Sequence, residues 1–331
     1  MTAIAVVGAG AWGTALADLL ARGGHVVRVW AYEADVARSI NESHANARFL
    51  PGFTVHASLT ASTVLADVLH GAEIVVFAAP SHALRRVARE SAAVAGPHAT
   101  LVVATKGIEH DTFALMTDVV HEEMPGRPTV ALSGPSFAAE VIQRQPTAIV
   151  AASTDASAAA RVQAECSSPE FRVYTHDDVT GVELGGALKN VMAIAVGIAD
   201  GVGLGYNSRA ALITRGLAEM ARLGTSLGAD SATFAGLAGV GDLVLTCTGP
   251  LSRNRAVGVE IGGGRALHEV LTGRDSVAEG VPTAESAHAL ARAKGIEMPI
   301  VEAVRGILFE ELAARDAIQA LMTRELKGEK E

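Results

Sequence analysis

Two lysines stand where solubility alone does not explain them. Lys189 lies within Glu183-Leu184-Gly185-Gly186-Ala187-Leu188-Lys189-Asn190-Val191, a stretch otherwise small and apolar. On a helix its side chain leans back over Gly185 and Gly186, and two glycines one turn earlier are expected to leave open space beside it. A partly buried lysine loses basicity and can exchange a proton near neutrality. Lys106 marks a strand exit, before Gly107. It reads either as a solvated surface lysine or as a cation stabilising negative charge on a phosphate or carbonyl oxygen. Ser133-Gly134-Pro135-Ser136 puts a Gly-Pro turn after a strand. Ser136 is there either a helix cap or a hydroxyl facing a ligand. Gly239-Val240-Gly241-Asp242 reads as a helix-ending turn with a carboxylate. Ser252-Arg253-Asn254 reads as a capped helix start whose free amides, with Arg253, form an anion site.

These residues need elements to position them, and the clearest comes first. Gly8-Ala9-Gly10-Ala11-Trp12-Gly13 follows the apolar run at residues 3–7 and opens into a helical pattern at 14–22. Alone, G-x-G-x-x-G is only a Gly-rich turn. Between strand and helix it is a dinucleotide-binding fingerprint. Its glycines serve a tight turn, close approach of the pyrophosphate, and packing of helix on strand, while free amides receive the diphosphate.

Further strands are expected near residues 25–30, 72–79, 100–104, 129–132, 147–151 and 171–174, with a helix at about 33–40. Strands alternating with helical stretches imply a parallel sheet wound on both sides, a Rossmann-like α/β domain over residues 1–178. The Ala/Ser-rich stretch 151–160 is expected to be a helix opened by Thr154 or Asp155. Residues 179–331 read as an all-helical domain, with helices near 180–200, 207–227, 231–238, 253–262, 265–271, 283–294, 299–308 and 313–321. The charged end, Lys327 to Glu331, is expected to fray. Strand ends point into the cleft between the two domains, where ligands of open α/β sheets bind.

Composition narrows the function classes. A chain of 331 residues suggests two domains. Aromatic residues make up 4% and the net charge is −9, which argues against a nucleic-acid or acidic-membrane surface. An anionic ligand must then be held by local cations and amides. Cys166 and Cys247 lie outside metal-ligand spacings, so no metal site and a reducing, cytoplasmic setting are expected. Neither a signal-peptide pattern nor an uninterrupted apolar span is expected, hence no stable membrane insertion.

Together the segments resemble the bacterial-type NAD(P)-dependent sn-glycerol-3-phosphate dehydrogenase family over essentially the full chain. The likeness runs through Gly8 to Ala17, Lys106-Gly107-Ile108-Glu109 and Ser133-Gly134-Pro135-Ser136-Phe137-Ala138-Ala139-Glu140-Val141. It continues in Gly186-Ala187-Leu188-Lys189-Asn190-Val191, Ala211-Leu212-Ile213-Thr214-Arg215-Gly216 and Gly236-Leu237-Ala238-Gly239-Val240-Gly241-Asp242-Leu243. Ser252-Arg253-Asn254 and Val277-Ala278-Glu279-Gly280 complete it.

The resemblance implies interconversion of dihydroxyacetone phosphate and sn-glycerol 3-phosphate, for phospholipid synthesis, with Lys189 as proton donor and acceptor and Lys106 assisting. Lys106, Gly134, Ser136, Lys189, Asp242, Ser252, Arg253 and Asn254 would bind substrate. Gly8, Gly10, Ala11, Trp12, Gly13, Tyr32, Lys106, Ala138, Arg253, Val277 and Glu279 would meet NAD or NADP. Ala11 stands where many members carry serine, and Tyr32 where His or Arg is frequent. A homodimer is expected. Cofactor choice turns on Val29-Trp30-Ala31-Tyr32-Glu33, where Ala31 aligns with the acid of NAD-selective sites. Its small side chain leaves room for a 2′-phosphate, so both cofactors are expected to work with NADPH somewhat favoured.

Overall fold

The computed structural model describes residues 1–273, 277–326 and 328. Of the end expected to fray, only Gly328 falls among them. Its strands are β1 (Ala3–Val7), β2 (Val26–Trp30), β3 (Ala45–Asn46), β4 (Leu50–Thr54), β5 (Thr60–Ser62), β6 (Ile74–Phe77), β7 (Thr100–Val103), β8 (Thr129–Ser133), β9 (Thr147–Ala152) and β10 (Phe171–His176). Between them run α1 (Ala11–Arg22), α2 (Ala34–Ser43), α3 (Leu65–Leu69), α4 (Ser81–Ala92), α5 (Met116–Glu123), α6 (Ala138–Ile142) and α7 (Ala156–Cys166). From Val179 onward the described regular elements are helical. They are α8 (Val179–Val202), α9 (Tyr206–Ser226), α10 (Asp242–Thr248), α11 (Arg253–Gly262), α12 (Leu267–Leu271), α13 (Gly280–Ala293), α14 (Pro299–Phe309) and α15 (Ala314–Met322). The architecture is a doubly wound α/β sheet followed by a helical domain.

Eight strands form one sheet in the order β10-β9-β8-β7-β6-β1-β2-β5. The chain leaves β1 in one direction toward β2 and returns to β6 on its other side. The switch point therefore falls at the glycine loop that follows β1. Strands β6 and β7 are fully buried apolar runs, as strands covered on both faces should be.

The expectation of an all-parallel sheet needs correcting. Strand β9 pairs antiparallel with β8, and β10 then runs parallel to β9. Residues 134–146 join β8 to β9 with only the five-residue α6, too short a helix to carry the chain back across the sheet for a parallel return. The short edge strand β5 and the β3–β4 hairpin, which the sequence reading omits, extend and flank the other side. Asp155 does open α7, its carboxylate accepting from the amides of Ser157 and Ala158 at 2.9 and 3.2 Å.

Helix α8 is the axis of the helical domain. Asp178 caps it, and nearly every residue from Gly181 to Ala199 is buried. By length and composition it could cross a membrane, yet its apolar window is wholly enclosed by protein, as befits a core helix. Helix α11 packs against it at backbone distance. A Cβ on Gly197 would fall 2.2 Å from Arg255 O, and one on Gly258 2.2 Å from Ile194 O. That closeness brings the 252–254 segment against the middle of α8.

The helix expected at 231–238 is instead a tight turn at Ser231–Ala235 followed by a wide turn at Leu237–Gly241 with Gly239 outside helical geometry. Asp242 then begins α10 instead of closing a helix. The reason is steric, because a side chain at Gly239 would meet Phe234 O at 2.1 Å and only a bare backbone can turn there.

Candidate active site

Where the sheet meets the helical domain, three charged side chains converge in a nearly dry place. Lys189 on α8 is 7% exposed and Asp242 at the start of α10 is 1% exposed. Lys189 Nζ donates to Asp242 Oδ1 at 2.5 Å and to Thr246 Oγ1 at 3.0 Å. Lys106, arriving from the end of β7, donates to Asp242 Oδ2 at 2.7 Å. It also reaches Gly134 O at 3.5 Å, and the same carbonyl accepts from Ser136 Oγ at 2.9 Å. Ser136 is therefore not the cap of α6, whose N-cap is Phe137.

Burial lowers the Lys189 ammonium from its usual range to about 7, and the nearby Lys106 charge adds to this against the pull of Asp242. Burial pushes Asp242 the other way, but Lys106 and Lys189 outweigh it and keep its carboxyl below the ordinary carboxylate range. The site thus pairs a carboxylate held in its ionised form by two ammonium groups with a lysine lowered to about 7. That is the electrostatic setting of a general acid and base.

Gly185 and Gly186 let this cluster form, though not by leaving a void. A Cβ on Gly185 would lie 2.3 Å from Ala238 O, and one on Gly186 2.6 Å from Ser133 Oγ and 3.4 Å from Lys106 Cδ. The expected open space is filled by the turn before α10 and by the stem of Lys106.

A second constellation lies at the end of β1. Gly8 has φ +120°, and a Cβ there would come within 2.7 Å of Ala79 N, while one on Gly13 would lie 1.9 Å from Gly8 O. Gly10 is the opposite case, since a Cβ there meets nothing within 4 Å. Two glycines are consumed by packing and the middle one faces open space, beside a helix start without a side-chain cap. This fits a diphosphate on bare amides.

These features invite comparison with known proteins. Sequence models of the N-terminal and C-terminal parts of NAD-dependent glycerol-3-phosphate dehydrogenase match residues 3–159 and 178–319. The chain is 54% identical to the glycerol-3-phosphate dehydrogenase [NAD(P)+] of Geobacter metallireducens, over 99% of this chain and 98% of that one. The chain belongs to this family. It is also 53% identical to the enzyme of that name from Koribacter versatilis, over 98% of both chains. The crystal structure of glycerol-3-phosphate dehydrogenase from Coxiella burnetii superposes with a TM-score of 0.94 at 40% identity, covering 98% of this chain and 99% of that one.

The remaining residues expected from the family resemblance fall around these two centres. Ser252 caps α11 by accepting from the Arg255 amide at 3.2 Å. Arg253 is exposed. Asn254 is committed inward, donating to Asn190 Oδ1 and accepting from the Gly280 amide, both at 2.9 Å. Its side chain is a strut between α8, α11 and the start of α13, with neither polar atom turned to the cleft. Glu279 reaches across to the sheet domain, accepting from the Ser81 amide at 3.0 Å and the Ser81 hydroxyl at 2.5 Å. Val277 lies two residues before it, half-buried. Ala11, Trp12 and Ala138 pack together on the core beside the glycine loop, and the buried Trp12 Nε1 lacks a hydrogen-bond partner among the described residues. Tyr32 is 71% exposed, its ring edge-on to Trp30. Ala31 is fully buried, so it does not front an open ribose site, contrary to the alignment drawn from sequence.

Three residues of these centres escape the sequence reading. Thr246 joins Lys189 because it sits one turn after Asp242 on α10, a face that recognising that helix would have disclosed. Asn190 ties α8 to α11, as described above. Asn46, 1% exposed on β3, donates to Ala9 O at 2.7 Å and Thr14 Oγ1 at 2.8 Å, propping the glycine loop from below.

Proposed function

We propose that Lys189 is the proton donor and acceptor in the interconversion of dihydroxyacetone phosphate and sn-glycerol 3-phosphate with NAD(P)H. This is the activity in the name shared by its relatives. The observation that carries the reading is one buried carboxylate, Asp242, gripping an ammonium from each domain. Residues 1–178 serve the dinucleotide and 179–331 the substrate. Gly8, Gly10, Ala11, Trp12, Gly13 and Ala138 hold the cofactor's diphosphate end, with Tyr32 further out; Lys106, Arg253, Val277 and Glu279 stand toward the cleft.

When bound, the reduced nicotinamide supplies the hydride. Protonated Lys189 gives its Nζ proton to the substrate oxygen, and neutral Lys189 takes it back in the oxidative direction. Lys106, fixed on Asp242 Oδ2, stabilises negative charge growing on that oxygen. Asp242 stays ionised and holds both lysines without competing for the proton. Arg253, Ser252 and the α11 amides, including that of Asn254, hold the phosphate, while Gly134 and Ser136 shape the opposite wall. An absorbance assay with dihydroxyacetone phosphate and each reduced cofactor tests the reading directly. No oxidation of either cofactor would sink it.

Arg253→Ala is expected to cost about 2–4 kcal/mol in phosphate recognition, as when a charge-assisted contact to a bound anion is lost. Wild type should strongly prefer dihydroxyacetone phosphate over dihydroxyacetone, and the variant should lose much of that preference. An unchanged preference would put the phosphate elsewhere.

Both cofactors are expected to serve, with NADPH moderately favoured. With Ala31 buried, this rests on Glu33, the nearest acid after β2, being half-buried at the start of α2 instead of standing free to repel a 2′-phosphate. The ratio of kcat/KM for the two cofactors decides it. An NADH advantage of about a hundredfold, abolished by Glu33→Gln, would make Glu33 the ribose ligand and reverse the assignment.

On the same reading the protein is a cytoplasmic homodimer whose product feeds phospholipid synthesis, with neither nucleic acid nor a membrane as partner. Light scattering on the purified protein reads the dimer.

A further inference from the structure

Helices α4 and α5 of the sheet domain share a source of capping. Their N-cap residues, Pro80 and Leu115, offer no side-chain acceptor to the first-turn amides. Both caps are supplied from the helical domain. Glu279 accepts from the Ser81 amide and hydroxyl on α4, as described above. Glu183 of α8 does the same on α5, accepting from the Thr117 amide at 2.9 Å and from the Thr117 hydroxyl. A carboxylate on a helix N-terminus also meets the positive end of the helix dipole.

The second clasp has a consequence for chemistry, because α5 continues directly from the segment that begins with Lys106. That segment is pinned to α8 at both ends. At one end the Lys106 stem crosses Gly186, and at the other Thr117 sits on Glu183. Between them Ile108 and Leu115 face each other across a β-bridge, and both are buried in the hydrophobic core of the helical domain. On the outer side Glu109 takes both Nε and Nη2 of Arg85 at 2.8 and 2.7 Å. A stretch of α8 from Glu183 to Lys189 thus grips α5, carries Lys106 and presents the proton-transfer lysine.

We infer that Glu183 is a positioning residue for Lys106: by capping α5 from the helical domain, it holds residues 106–117 so that the Lys106 ammonium meets Asp242. The inference rests on the reading above that Lys106 acts on the substrate oxygen. Glu183 is 8% exposed, and burial raises its carboxyl to about 7. An ionised group at such a place is costly unless its acceptors are used. Here both oxygens take donors from one residue. Glutamine could keep both contacts, its carbonyl accepting from the Thr117 amide and its amide nitrogen donating to the Thr117 hydroxyl, whereas methionine keeps the length of the side chain and offers neither acceptor.

Steady-state kinetics on four single variants and one double variant tests the inference. Glu183→Met is expected to lower kcat by about 10–100-fold, the cost of misplacing a catalytic group by about an ångström from a distance. The Kd for NADPH, read by fluorescence, should stay within about twofold, since the glycine loop is remote. Hydrogen exchange at the Met116 to Asp118 amides should quicken. Thr117→Val should lose activity in the same sense, which keeps the test open if Glu183→Met folds poorly, and Thr117→Ser should restore near wild-type kcat. In a Lys106→Met background, Glu183→Met should add little further loss, because it acts through a group already removed. A Glu183→Met enzyme with wild-type kcat, or one whose loss is fully additive with Lys106→Met, overturns the inference and leaves the site reading standing. Wild-type kcat in Lys106→Met alone overturns the reading of Lys106, and the inference with it.

Discussion

Replacing Lys189 by methionine is expected to lower kcat by about 10²–10⁴-fold, the contribution of a positioned general acid or base. Methionine keeps the length and apolar stem of lysine, so the buried path along α8 stays filled and only the Nζ chemistry goes. NADPH should still bind, because the glycine loop is on the other domain. The pH dependence carries a sign that other roles do not predict. Reduction needs protonated Lys189, so kcat for dihydroxyacetone phosphate should fall as pH rises through about 7, where burial places the ammonium. Oxidation of glycerol 3-phosphate needs the neutral amine and should rise over the same interval. Both limbs should vanish in Lys189→Met. Retention of either limb, or near wild-type turnover, would remove Lys189 from proton transfer.

Asp242→Asn is expected to damage stability and catalysis together. The carboxylate is 1% exposed and shared by two ammonium groups. An amide offers one acceptor and turns a donor toward the second lysine. Breaking a buried pair by removing one partner costs about 3–5 kcal/mol, because a charge is left without compensation. Lys189 should respond by losing its proton more readily, since Asp242 is what pulls against burial and the Lys106 charge. The reductive pH limb should therefore move below its wild-type position, while chemical denaturation shows the loss of stability. An unshifted limb in a folded variant would mean that Asp242 does not set the Lys189 equilibrium.

The parts of the site legible in the sequence are those whose chemistry is local. Gly8, Gly10 and Gly13 between a buried strand and a helix identify their turn by spacing alone, because the strand, the turn and the helix start are continuous in the chain. Ser252 before Arg253 identifies a capped helix start for the same reason. Lys189 is conspicuous because its neighbours on the helix are apolar. By contrast, Ala31 misled. A strand end two residues from an exposed tyrosine gives no local sign of which side chain turns inward, and tertiary packing turned this one into the core.

The reversal of β9 was likewise invisible in the strand itself, since parallel and antiparallel core strands carry the same apolar runs. The length of α6 in the connection decided it. The turn at Gly239 shows the limit from the other side. Its sequence reads as a helix end, but close contact with Phe234 makes the turn one that starts a helix, which placed Asp242 and Thr246 on one face.

By itself, then, the sequence determined that a dinucleotide loop precedes a helical domain, and which lysines and which arginine could act. Only the tertiary structure decided that Lys106 and Lys189, 83 positions apart in the numbering, share the two oxygens of one carboxylate. It also decided that Asn254, Glu279 and Glu183 spend their polar atoms as struts and caps between elements. The physical reason is that a side chain's charge and hydrogen-bonding capacity are written in its residue type. The partner that uses them, and the desolvation that moves a proton equilibrium, exist only when distant segments are packed against one another.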